Sequence, residues 1–69
     1  LDAYRSILAN LDLWLKPGGW LLFEVGHTQA QQVAQMVNAA GLFVQEIRND
    51  LSGHARVVVA QKPLLNSVQ

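Results

Sequence analysis

Two short stretches of this chain carry side chains capable of chemistry. The first holds Glu24, Gly26, His27 and Gln29, and the second holds Asp50, Ser52, Gly53 and Arg56. Glu24 could order the edge of a substrate pocket. Its structural alternative, favoured here, is a carboxylate bonded to neighbouring backbone or to an arginine such as Arg56. His27 could touch substrate or act as a base, but with no carboxylate or cysteine beside it in sequence it reads first as a surface residue. His27 and His54 could share a metal on paper, yet two ligands without a third make a poor site, so no metal ligand is assigned. Gln29 has no capping role at its spacing, which leaves it to contact substrate or a neighbouring domain. Asp50, Ser52, Gly53 and Arg56 fit two readings equally: a wall receiving a substrate loop, or a hairpin held by an Asp–Arg pair with glycine at a left-handed position.

These residues need elements to position them. Tyr4, Ile7, Leu8, Leu11 and Leu15 have the spacing of an amphipathic helix over 3–15. Pro17 and Gly18-Gly19 end it, with Lys16 placed to meet the helix dipole. Residues 20–25 form an apolar run broken only by Glu24, which predicts a strand buried on both faces. Trp14 and Trp20 flank the turn and read as packing residues. Thr28 and Gln31 have capping-box spacing; Val33, Met36, Val37 and Ala40 make an inward stripe, and Gly41 stands where a helix-ending glycine belongs. Residues 42–48 and 55–60 read as strands, the latter β-branched and central in its sheet. The expected fold is α/β, in the order helix, strand, helix, strand, strand. The first two strands run parallel through a right-handed crossover and the last two antiparallel, finishing a mostly parallel sheet. In such sheets ligands sit at the carboxyl ends of strands, which marks Glu24, Gly26 and their neighbours as a working edge.

Composition narrows the function classes. The chain has 69 residues, 51% of them hydrophobic, enough for one small core. With no cysteine, neither a disulfide framework nor a thiolate zinc site is available. Five basic and five acidic residues cancel without a basic run, which argues against a nucleic-acid or anionic-membrane surface. No apolar run approaches the ~20 residues of a membrane span, and no secretory signal is evident, so a reducing cytoplasmic setting is expected. The chain opens on Leu1 and carries its one methionine at Met36, which leads to the expectation of a segment from a larger protein.

Leu15-Lys16-Pro17-Gly18-Gly19-Trp20-Leu21-Leu22-x-Glu24 resembles the fifth-strand region of class I methyltransferases. Leu1-Asp2-x-Tyr4-Arg5 precedes it, Glu24-x-Gly26-x-x-Gln29 follows it, and Asp50-Leu51-Ser52-Gly53-x-x-Arg56-Val57-Val58 closes the chain. Together they resemble the C-terminal part of the HemK/PrmC family over residues 1–62, with 63–69 as a flexible tail. The resemblance implies a Rossmann-like sheet, S-adenosylmethionine as cofactor, and methylation of the glutamine side-chain amide in the Gly-Gly-Gln motif of peptide chain release factors. His27 falls where relatives vary. The glycine-rich cofactor loop and the Asn-Pro-Pro-Tyr motif of that family do not occur in this sequence, and Gly18-Gly19 precedes a strand rather than following one. No catalytic or cofactor-binding residue is therefore assigned. Glu24, Gly26, His27, Gln29, Asp50, Gly53 and Arg56 are expected beside the substrate.

The implied partners are a release factor and the remainder of the methyltransferase domain, and the chain alone is expected to be inactive. Two rivals stand beside this reading. One is a stand-alone interaction module that self-associates through an exposed strand edge at residues 20–25. The other is a small-molecule class I methyltransferase.

Overall fold

The computed structural model describes residues 2–64; Leu1 and residues 65–69 lie outside the described residues, and with them most of the expected tail. Helix α1 runs Asp2–Ala9, a 3-10 turn Leu11–Leu13, strand β1 Trp20–Glu24, helix α2 Ala30–Ala39, strand β2 Phe43–Asn49 and strand β3 Ala55–Gln61.

The first helix is shorter than the apolar spacing predicts. At Asn10 the backbone leaves the helical region (φ −110°, ψ 19°), and the Asn10 side-chain amide donates to the Ser6 carbonyl at 3.1 Å. An asparagine that bonds nearby backbone offers the chain an alternative to the helical ladder. The break turns Leu11 into the core, while α1 itself buries no residue and Ile7 of the expected stripe stays exposed. Lys16 lies beyond the helical turns, so it does not act on a helix end; its carbonyl instead accepts the Gly19 N–H at 2.9 Å. Trp14 and Trp20, expected to pack, are 48% and 53% exposed.

The Pro-Gly-Gly turn is tied down by a residue the sequence did not single out. Gly18 N–H donates to the Lys62 carbonyl and Lys62 N–H to the Gly19 carbonyl, at 2.9 and 2.8 Å. The Lys62 ammonium then donates to the Asp12 carboxylate at 2.6 Å and to the Leu15 carbonyl at 2.9 Å. One lysine thus fastens the 3-10 turn and the end of β3 to the turn that launches β1.

The sheet order is β1-β3-β2, with β3 antiparallel to both neighbours. β1 and β2 therefore point the same way, as a helical connection requires, and β3 is central. No parallel ladder forms among the described residues, because the hairpin folds β3 back into the gap between β1 and β2 and takes both inner edges. This corrects the expected mostly parallel sheet.

β1 alternates rather than burying both faces: Leu21 and Phe23 are buried, while Trp20, Leu22 and Glu24 are exposed. Cross-strand partners share a face, so the register assigns Leu21, Phe23, Val58, Ala60, Val44 and Ile47 to the core side. Trp20, Leu22, Val59 and Phe43 belong to the opposite side, which no helix covers among the described residues. Val59 is buried there beside Leu22 yet stands outside the core cluster.

Helix α2 covers the core side with Ala30, Val33, Ala34 and Val37; Met36 is only half-buried and Ala40 is exposed, which shortens the expected stripe. The Thr28–Gln31 capping box does not form. The helix begins at Ala30 with Gln29 as cap, one residue later than the box requires, and no side chain bonds the cap. The C-terminus behaves as expected: Gly41 N–H donates to Asn38 at 3.0 Å and Leu42 N–H to Val37 at 3.3 Å, the paired bonds of a Schellman ending.

Candidate functional site

The carboxyl ends of β1 and β2 and the start of β3 meet at one end of the sheet, since Glu24 and Arg48 both sit opposite Val57 and Asn49 opposite Ala55. Glu24 ends β1 and Arg56 stands near the start of β3, while loop 25–29 between β1 and α2 carries Gly26, His27 and Gln29 and loop 50–54 between β2 and β3 carries Asp50 and Gly53, all at this end.

Loop 50–54 is built around one carboxylate. Asp50 Oδ1 accepts the N–H groups of Ser52 at 2.9 Å and His54 at 3.0 Å, and Oδ2 accepts Arg56 Nε at 2.8 Å. Its backbone closes the same turn, with Asp50 N–H donating to the His54 carbonyl at 2.8 Å and Gly53 N–H to the Asp50 carbonyl at 3.0 Å. Gly53 has φ +84°, the left-handed region the hairpin reading requires. The Arg56 side chain, and then the His54 and Ser52 backbone N–H groups, hold the Asp50 carboxyl down to about 2.

Arg56 is therefore Asp50's partner, not Glu24's. Among the described residues no ion pair or side-chain hydrogen bond engages the Glu24 carboxylate, so the favoured reading of Glu24 gives way. What holds Glu24 is its main chain: the Tyr4 hydroxyl donates to the Glu24 carbonyl at 2.6 Å, and the Tyr4 ring meets Phe23 edge-on at 4.9 Å between centroids. Val25 N–H continues the ladder to the Arg56 carbonyl at 2.8 Å, and Glu24, Val25 and Arg56 line an open depression. Gln29 N–H turns the chain into α2 by donating to the Gly26 carbonyl at 2.8 Å, and a Cβ on Gly26 would meet the Gln29 side-chain oxygen at 3.5 Å.

The two loops touch through their histidines. The His27 and His54 rings stack with centroids 4.6 Å apart and 28° between planes. His54, Tyr4 and Lys62 were not assigned site or anchoring roles from sequence. Their partners lie 20 to 50 residues away or across a loop, and no local spacing reports such contacts.

Known proteins contain a similar segment. The release factor glutamine methyltransferase of Cereibacter sphaeroides is 46% identical over 63 residues, 91% of this chain and 23% of that protein. The chain is homologous to a segment of release factor glutamine methyltransferases. The corresponding methyltransferase of Caulobacter vibrioides is 40% identical over 67 residues, 97% of the chain and 23% of that protein. A bifunctional methyltransferase of Rickettsia felis is 36% identical over 66 residues, 96% of the chain and 12% of that protein. The chain thus spans less than a quarter of the length of these relatives. No family model and no solved structure matches it. The HemK/PrmC resemblance read from the sequence holds across nearly the whole chain.

The described residues do not themselves fit S-adenosylmethionine. The loop after β1 offers the single glycine Gly26, and the depression beside it is open and lined by Glu24, Val25 and Arg56, with no glycine-rich turn to let backbone close on a nucleoside. Nor do three or more His, Asp or Glu side chains converge on a metal position among the described residues. No helix among them is long and apolar enough to cross a membrane.

Proposed function

We propose that this chain is the C-terminal segment of an S-adenosylmethionine-dependent methyltransferase that transfers a methyl group to the glutamine side-chain amide of peptide chain release factors. The observation that carries the reading is identity of 36–46% to release factor glutamine and bifunctional methyltransferases across nearly the whole chain. The segment completes the sheet and sets loops 25–29 and 50–54 beside the substrate. Glu24, Gly26, His27, Gln29, Asp50, Gly53 and Arg56 form the wall the release-factor loop approaches. Cofactor and catalytic groups come from the rest of the parent, and the segment alone is inactive. Methyl transfer requires the sulfonium carbon and the amide nitrogen to be held in line, and an open loop wall cannot impose that alignment by itself.

The sheet supports a parent domain independently of the sequence similarity. Trp20, Leu22 and Phe43 are 53%, 58% and 59% exposed on one face, and the outer side of β1 has no strand partner among the described residues. An apolar face beside an unpaired edge calls for cover, and in this reading the remainder of the methyltransferase supplies it, in the cytoplasm. The test is methyl transfer to a release factor by the full-length protein, with the 69-residue chain assayed beside it. Activity in the full-length protein alone supports the proposal, and activity in the short chain overturns the claim that the segment is inactive.

The open β1 edge also favours a second reading, a stand-alone module that self-associates through that strand. Light scattering on the 69-residue chain separates the two, since a monomer mass independent of concentration removes the module.

A further inference from the structure

We infer that His54 is a positioning residue for the working edge: its ring, stacked on His27, holds loop 25–29 against the β2–β3 turn. The inference rests on the methyltransferase reading for its consequence but on geometry for its existence.

Loop 25–29 has few anchors of its own. Its backbone is fixed at Val25 by Arg56 and at Gln29 by Gly26, and between them Gly26, His27 and Thr28 are exposed. Loop 50–54 is by contrast tightly organised, with His54 fixed through both its N–H and its carbonyl to Asp50. The 4.6 Å ring stack is thus the side-chain link from a fixed loop to a loosely held one. It places the one beside the other at the sheet edge where Glu24 and Arg56 line the depression.

The test uses the full-length protein and its His54→Ala and His54→Phe variants, read by amide hydrogen exchange across residues 25–29 and by kcat/KM against a release factor. Exchange of the loop amides should rise in His54→Ala and stay at the wild-type level in His54→Phe, where an uncharged ring preserves the stack. Turnover efficiency should fall about tenfold in His54→Ala and recover in His54→Phe, because a displaced loop misplaces substrate. Unchanged loop exchange in His54→Ala, or equal loss in both variants, overturns the inference. A parent with no methyl transfer to release factors removes the functional reading instead, while loop exchange in the two variants still judges the stack.

Discussion

At the scale of single residues, the working edge is organised by Asp50. Its carboxyl is held to about 2, below the ordinary 3.8, first by the Arg56 side chain and then by the His54 and Ser52 N–H groups. A carboxyl depressed in the folded state stabilises the fold fully above its unfolded pKa, and the contribution is lost as pH falls through the folded value. The wild type should therefore lose stability between about pH 3.8 and 2 in excess of Asp50→Asn, which has no such charge to lose. Thermal midpoints of the two proteins across that window check this, and parallel curves would mean the clasp carries no stability. Gly53 answers a separate question. It has φ +84° with open space around the position of a Cβ, so Gly53→Ala should cost about 1 kcal/mol from backbone strain alone, and Gly53→Asn less. Chemical denaturation of the full-length variants measures both. The Asp–Arg hairpin with its left-handed glycine was legible in the sequence because all its parts lie within seven residues, 50–56. The fate of Glu24 was not, because a nearer carboxylate had already claimed Arg56.

At the scale of elements, periodicity located the two helices and three strands of the described residues but misjudged how they end and what they bury. Asn10 interrupts the first helix although the apolar spacing continues past it, since a side-chain bond to Ser6 is invisible to periodicity. Thr28 and Gln31 fit a capping box by type and spacing, yet the chain begins α2 one residue too late to use it. The apolar run of β1 suggested burial on two faces; one of those faces is open among the described residues. Burial, not apolar character, should set the response to truncation. Val33 is 0% exposed and Ile7 39%, so Val33→Ala should cost about 2 kcal/mol and Ile7→Ala well under 1. Equal costs in urea unfolding would mean that α2 is not the helix closing the core.

At the scale of the whole molecule, the uncovered face is the informative feature. Trp20, Leu22 and Phe43 project from the side of the sheet opposite α2, and the chain spans 23% of the length of the matched Cereibacter and Caulobacter relatives. Leu22→Glu separates the possible contexts. In the 69-residue chain the substituted side chain remains in water and the change should be near neutral. In the full-length parent it would bury a carboxylate and should cost about 2 kcal/mol or more. Equal effects in the two would argue that nothing covers this face. The central claim, that the segment belongs to a release factor methyltransferase, is tested most directly by mass spectrometry of a release factor incubated with the full-length protein and S-adenosylmethionine. The account predicts the added mass of one methyl group on the glutamine of the Gly-Gly-Gln peptide and none with the 69-residue chain alone. An unmodified glutamine in the presence of folded, cofactor-bound full-length protein would contradict it.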